Sequence, residues 1–242
     1  MTTIDNIDHT SMEKEPIFPM KQRWMLLGAS IVLTWALSVF SLFETFKIQE
    51  LIQRTVDGDT GAAYTLMAMQ QKGVDPLKAI SFVVGVLAVV IACLWFYRAS
   101  LNVHVAGMNY LTYTPGWNVG WFFIPIAHIF MPAIVVAETV KASQSINDRN
   151  EYSSWKGNST GIWFKIWALS FSLKMAGVYF FTFYSMSFIS GIAAQDPDAL
   201  IGLMNATVLV SYIGFALNFI EGISLILFTK QITDLHEQYR AS

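Results

Sequence analysis

A lysine and a glutamate stand in this sequence where neither charge is easily kept. Lys174 lies about twelve residues, or roughly 18 Å of helical rise, inside an apolar run that begins near Ile162. Glu221 lies in the next apolar run, about eight residues or roughly 12 Å from its polar end. The depths are compatible, so the two can meet as an ion pair in a medium that tolerates neither alone. Asn218, almost one turn before Glu221, adds an amide to the same face. Such a group can lock two helices together, or it can handle an ion, a proton or a ligand. Helical spacing places Ser170, Gly177 and Phe181 with Lys174, and Ser211, Gly214 and Gly222 with Asn218 and Glu221. Small and polar stripes of this kind let membrane helices pack closely, so locking is the plainer expectation.

The second constellation is GWNVGWFFIPIAHIFMPAIVVAETV from Gly116 to Val140. It is apolar enough to enter a membrane over 117–140, yet it holds Pro125 and Pro132. Each proline removes a backbone donor and obstructs the preceding turn, which an uninterrupted helix in hydrocarbon cannot absorb. A re-entrant or kinked segment is expected. Gly116 and Gly120 form a Gly-x-x-x-Gly with Trp117 and Trp121 interleaved, which marks either a helix contact or an interfacial aromatic belt.

His128 sits between the prolines and His104 follows the second apolar run. A two-histidine metal or haem site would need further ligands, and no carboxylate or thiolate stands at ligand spacing near either, so no metal and no cofactor is expected. His9 and His236 lie in polar tails and read as solvated, and Glu138 reads as interfacial. There is no Gly-x-Ser-x-Gly, no phosphate-cradling glycine loop and no His-Glu-x-x-His, and an enzyme is not expected. Net charge is −2 with scattered basic residues, which argues against nucleic acid as a partner. Cys93 is the only cysteine, in an apolar run, and reads as a small hydrophobe.

The elements that must position these groups are membrane spans: 54% of the 242 residues are hydrophobic and 13% charged. The fold class expected is an all-α polytopic membrane bundle. A polar tail over 1–22 precedes a membrane domain over 23–230 with spans near 24–46, 79–97, 162–192 and 199–228, and a polar tail over 231–242 follows. Ile48, Leu51, Ile52 and Val56 repeat at helical spacing and suggest a short amphipathic surface helix, stopped by Asp57-Gly58-Asp59. Asp75-Pro76 opens the second span, and Gln195-Asp196-Pro197-Asp198 makes the turn between the last two.

Lysines and arginines orient the chain. Lys141, Arg149, Lys156 and Lys165 precede the last hairpin and Lys230 and Arg240 follow it, so the carboxyl terminus is expected in the cytoplasm. If the proline segment re-enters, Lys14, Lys21, Arg23 and Arg98 are cytoplasmic as well. If it spans, they exchange sides with Lys47, Arg54, Lys72 and Lys78. The two prolines favour re-entry.

WFYRASLNV from Trp95 to Val103, TPGWNVGWFFIPIAHIFMP from Thr114 to Pro132, ETVKAS from Glu138 to Ser143 and GIWFKIW from Gly161 to Trp167 resemble, in this order, the bacterial membrane family known as domain of unknown function 4328. The likeness runs over most of the chain from the second span onward. It implies a multi-spanning protein of the bacterial inner membrane and brings no biochemical activity. By resemblance Trp95, Arg98, Asn102, Gly116, Trp117, Gly120, Trp121, Pro125 and Pro132 are signature positions, while His128 and Met131 replace an asparagine and a basic residue usual there. Arg98 and Asn102, one turn apart, are expected to meet the carbonyls freed by the broken segment.

The function expected is that of a non-enzymatic accessory or interaction subunit in the lipid bilayer, assembling with other membrane subunits or with itself. The alternative is a small channel or carrier using the broken segment and the Lys174/Glu221 pair.

Overall fold

The computed structural model describes residues 16–71, 75–147, 155–191 and 197–242. Its long elements are helices α1 (Lys21–Val56), α2 (Thr60–Gln71), α3 (Pro76–Val105), α4 (Pro115–Gly120), α5 (Met131–Gln144), α6 (Gly161–Gly191) and α7 (Pro197–Ala241), joined in places by short 3-10 turns. α1, α3, α6 and α7 are long and apolar enough to cross a membrane, and the fold is an all-α polytopic membrane bundle. Most of their apolar side chains face outward, as in Phe82 and Phe180, which is the arrangement a lipid solvent requires.

Local chemistry sets the boundaries. The Asp75 carboxylate accepts from the Leu77 N–H at 2.9 Å with Pro76 at the first helical position, so α3 begins where an acceptor and a residue lacking a donor coincide. Thr114 and Pro115 open α4 in the same way. α1 stops at Asp57, and Gly58 adopts the left-handed φ of 91° that turns the chain into α2. There Asp59 accepts from Arg54 at 2.6 Å and from the Ala62 N–H at 3.2 Å, and these bonds, the guanidinium's first, hold its carboxyl below the usual carboxylate range. The expected surface helix over 48–56 is instead the end of α1, because nothing before Asp57 interrupts the hydrogen-bond ladder. Of the proposed last turn, Gln195 and Asp196 lie outside the described residues, as does His9.

The proline segment is neither one helix nor a kinked one. Pro132 sits in the first turn of α5, where its missing N–H is not needed. Pro125 occupies the turn before Ile126, whose φ of 66° reverses the chain between two 3-10 turns. The arms then return side by side. The Thr112 and Tyr113 N–H groups donate to the Glu138 carboxylate at 2.6 and 3.0 Å, and the Asn118 amide donates to the Thr139 hydroxyl. The stretch from Thr112 to Thr139 is therefore a closed hairpin whose two ends share one level of the bundle.

α1 packs against both α3 and α7, and α6 packs against α7, giving a curved row in the order α3, α1, α7, α6. The proline hairpin bridges α3 and α6 at one end of that row. Below it lies an aromatic core in which Phe96 touches Phe122, Trp167 and Phe228 at centroid distances of 5.4, 5.7 and 6.4 Å. Both expected polar tails are partly structure: Ile17 and Met20 are buried, and residues 231–241 continue α7 with Ile232, Thr233, His236 and Tyr239 buried. Hydropathy falls after Phe228, but the helical period of buried residues does not.

Candidate functional site

Lys174 of α6 and Glu221 of α7 form an ion pair, with side chains 23% and 14% exposed. Both line a cleft of about 290 Å³ between the two ends of the helical row. Its far wall is α3, where Gly85, Ala88 and Ala92 present little side chain, and its floor is the aromatic group of Phe96, Phe122, Trp167 and Phe171. Phe122 belongs to the proline hairpin, so the two constellations singled out in the sequence meet at one cleft.

The expected stripe on α7 divides between two neighbours. Glu221 turns to α6, whereas Asn218 and Gly222 turn to α1. The Asn218 amide donates to the Ser38 hydroxyl at 3.4 Å, and Trp35 Nε1 donates to the Asn218 carbonyl at 3.3 Å. A Cβ at Gly222 would stand 2.5 Å from the Trp35 ring, so that glycine sets the approach of α1 to α7. Asn218 thus fixes the helix that carries Glu221 instead of completing the ion pair.

A second polar group lies at the end of the bundle where both described termini meet. Asn102 is fully buried; its Oδ1 accepts from the Phe18 N–H at 3.0 Å, and its Nδ2 donates to the Phe18 carbonyl at 2.9 Å and to His236 Nδ1 at 3.2 Å. The Ser143 hydroxyl donates to the Thr139 carbonyl at 2.7 Å, so at 2.9 Å it accepts from His236 Nε2. Every donor meets an acceptor, and the histidine carries its single proton on Nε2. Glu237 adds a cap on α1, accepting from the Met20 and Lys21 N–H groups at 2.7 and 3.0 Å.

This group corrects two expectations. Arg98 and Asn102 do not serve the broken segment: Asn102 holds the backbone of Phe18, and the Arg98 guanidinium lies 4.2 Å from the Phe18 ring centroid. The end of α3 faces the start of α1 there, and the hairpin has satisfied its own ends through Glu138 and Asn118. His236 is not solvated but 1% exposed. The signal that could have revealed it was the spacing of Ile232, His236 and Tyr239, a helical stripe carried past the last apolar run.

Of the other positions, Gly116 and Gly120 do not set a close helix approach: a Cβ at Gly120 would meet only the ring of Trp117 in its own helix, at 3.2 Å, and one at Gly116 only the Thr114 hydroxyl. Trp117 is half exposed, as a belt residue would be, while Trp121 packs on the core. His128 Nδ1 lies 3.1 Å from the Tyr179 hydroxyl and pins the hairpin to α6; His104 Nδ1 lies 2.7 Å from the Ser100 carbonyl of its own helix. Among the described residues no three potential metal ligands come together.

No curated protein and no solved structure matches the chain. The model of one protein family, described as a domain of unknown function, DUF4328, matches residues 59–233. That stretch contains the proline hairpin, both members of the ion pair and Asn102, and with most of its length matched the chain belongs to the DUF4328 family.

Proposed function

We propose that this protein is a non-enzymatic accessory subunit of the bacterial inner membrane that receives a membrane helix of another chain, or of a second copy of itself, in the cleft between α3 and α6. The observation that carries the reading is the uncovered wall of Gly85, Ala88 and Ala92 opposite the Lys174–Glu221 pair. A smooth helical face admits a close backbone neighbour, and a fixed charge pair gives that neighbour a register. With a photo-reactive benzophenone amino acid in place of Gly85, which inserts into C–H bonds of any close neighbour, irradiation of native membranes is expected to give one discrete adduct, and Ala88→Trp is expected to abolish it. A chain that stays uncross-linked and runs as a monomer in mild detergent would remove the proposal.

The proline hairpin re-enters the membrane from the cytoplasmic side on this reading. Lys21, Arg23, Arg98, Lys141, Lys156, Lys165, Lys230 and Arg240 gather at the end that holds both described termini, against Lys47, Arg54 and Lys78 at the other. On intact cells an impermeant thiol reagent is expected to label Gly61→Cys and to spare Gly157→Cys, both in the Cys93→Ala background; the reverse pattern would invert the orientation.

A carrier is the second reading, favoured by the joint lining of the cleft by the ion pair and Phe122. The aromatic floor weighs against a through path. Under the carrier reading Glu221→Gln abolishes flux in a protein that still folds.

A further inference from the structure

α5 carries a stripe outside the cleft that is charged at one end and apolar below it. Lys141 closes the stripe, and Glu138, Ala137, Ile134 and Ala133 descend from it along the helix. Together with Tyr113, Trp155 and Lys156 they line a groove of about 640 Å³ at the bundle end. The Lys141 ammonium reaches to 3.3 Å from the Lys156 carbonyl, and the Lys156 ammonium lies 5.7 Å from the centroids of both the Tyr110 and Trp155 rings. Two cations are thereby drawn to one mouth. Tyr110 takes a left-handed φ of 61° that leaves its ring exposed beside Lys156, while Trp155 is anchored by its Nε1 donating to the Asn109 carbonyl at 2.7 Å.

Two lysines face one acid in this lining, so the groove carries one net positive charge, and the Glu138 carboxylate is directed to the Thr112 and Tyr113 N–H groups. Charge is positive where the stripe meets the polar boundary, and half-exposed Ile134 continues it into the apolar zone. We propose that this groove binds an anionic phospholipid, its phosphate between Lys141 and Lys156 and one acyl chain along the Ile134 face of α5. A zwitterionic lipid offers the same phosphate but brings an ammonium towards two others, so the groove selects net negative headgroups. The assignment does not depend on the accessory reading, because it uses neither the cleft nor the ion pair.

The test uses the full chain in neutral detergent, titrated with phosphatidylglycerol, phosphatidylcholine or inorganic phosphate, with retained lipid read by native mass spectrometry. Phosphatidylglycerol is expected to bind about tenfold more tightly than phosphatidylcholine, equivalent to about 1.4 kcal/mol. Lys141→Gln with Lys156→Gln should erase that preference, and Lys165→Gln, at the same end outside the groove, should keep it. Equal affinity of the parent for the two lipids overturns the proposal, whether or not the double variant folds. Displacement of phosphatidylglycerol by equimolar inorganic phosphate would assign a free anion instead, and loss of preference in Lys165→Gln would assign a diffuse surface field.

Discussion

Lys174→Met is expected to destabilise the protein by about 3–5 kcal/mol, because it leaves the Glu221 carboxylate without its cation in a setting that solvates it poorly. Glu221→Leu alone should cost a similar amount for the mirror-image reason. The combined variant, with both charges gone and two apolar side chains in their place, should recover most of the loss, since a well-packed apolar pair is often as stable as an ionic one. Unfolding of all four proteins in one detergent gives the coupling energy directly. A strictly additive cycle would mean that the pair contributes nothing to stability. The cycle also separates the two functional readings: a double variant that folds but no longer supports transport points to a carrier, whereas one that folds but no longer assembles in register points to an accessory subunit.

The next largest effect is expected at the opposite end of the bundle. Asn102→Leu removes the only side chain that satisfies both backbone groups of Phe18 among the described contacts, and it also leaves His236 Nδ1 without its donor. Each orphaned buried group costs about 1–3 kcal/mol. The local consequence should exceed the global one: residues 16–20 should come away from the end of α3, and limited trypsin should cut at Lys21 and Arg23 much faster than in the parent. Unchanged cleavage would mean that packing of Ile17 and Met20, not the amide, holds this segment. His236→Ala should give the same acceleration in weaker form, because it removes one of three bonds to Asn102.

The ion pair was legible in the sequence for a physical reason. An ionisable side chain deep in an apolar run needs a partner, and the depths of Lys174 and Glu221 left little choice of partner. The breaks at Pro125 and Pro132 were equally visible, but the closing of the hairpin was not, because it depends on Glu138 reaching Thr112 and Tyr113 across 26 and 25 residues. Local composition carries no trace of such a pairing. Arg98 and Asn102 were rightly singled out and wrongly partnered: their partner is backbone at Phe18, and backbone groups have no residue type by which to be recognised. His236 was misread because average polarity rises after Phe228, while burial continues on a helical period that an average conceals. Asn218 shows the limit of spacing on a single helix, since one stripe of α7 is shared by two neighbours and spacing alone does not say where it divides.

The 45 residues of α7 make a rod of roughly 67 Å, about twice the thickness of a bilayer core. From Ile223 to Ala241 it contains neither proline nor glycine, so nothing along that stretch offers a joint. Glu221 rides near its middle and His236 lies four turns further along, outside the apolar zone. A tilt imposed on the rod at the level of Glu221 must therefore reappear at His236 as a sideways displacement, and with it at Phe18. The bundle end that holds Phe18 and His236 is thereby tied mechanically to the level of the ion pair.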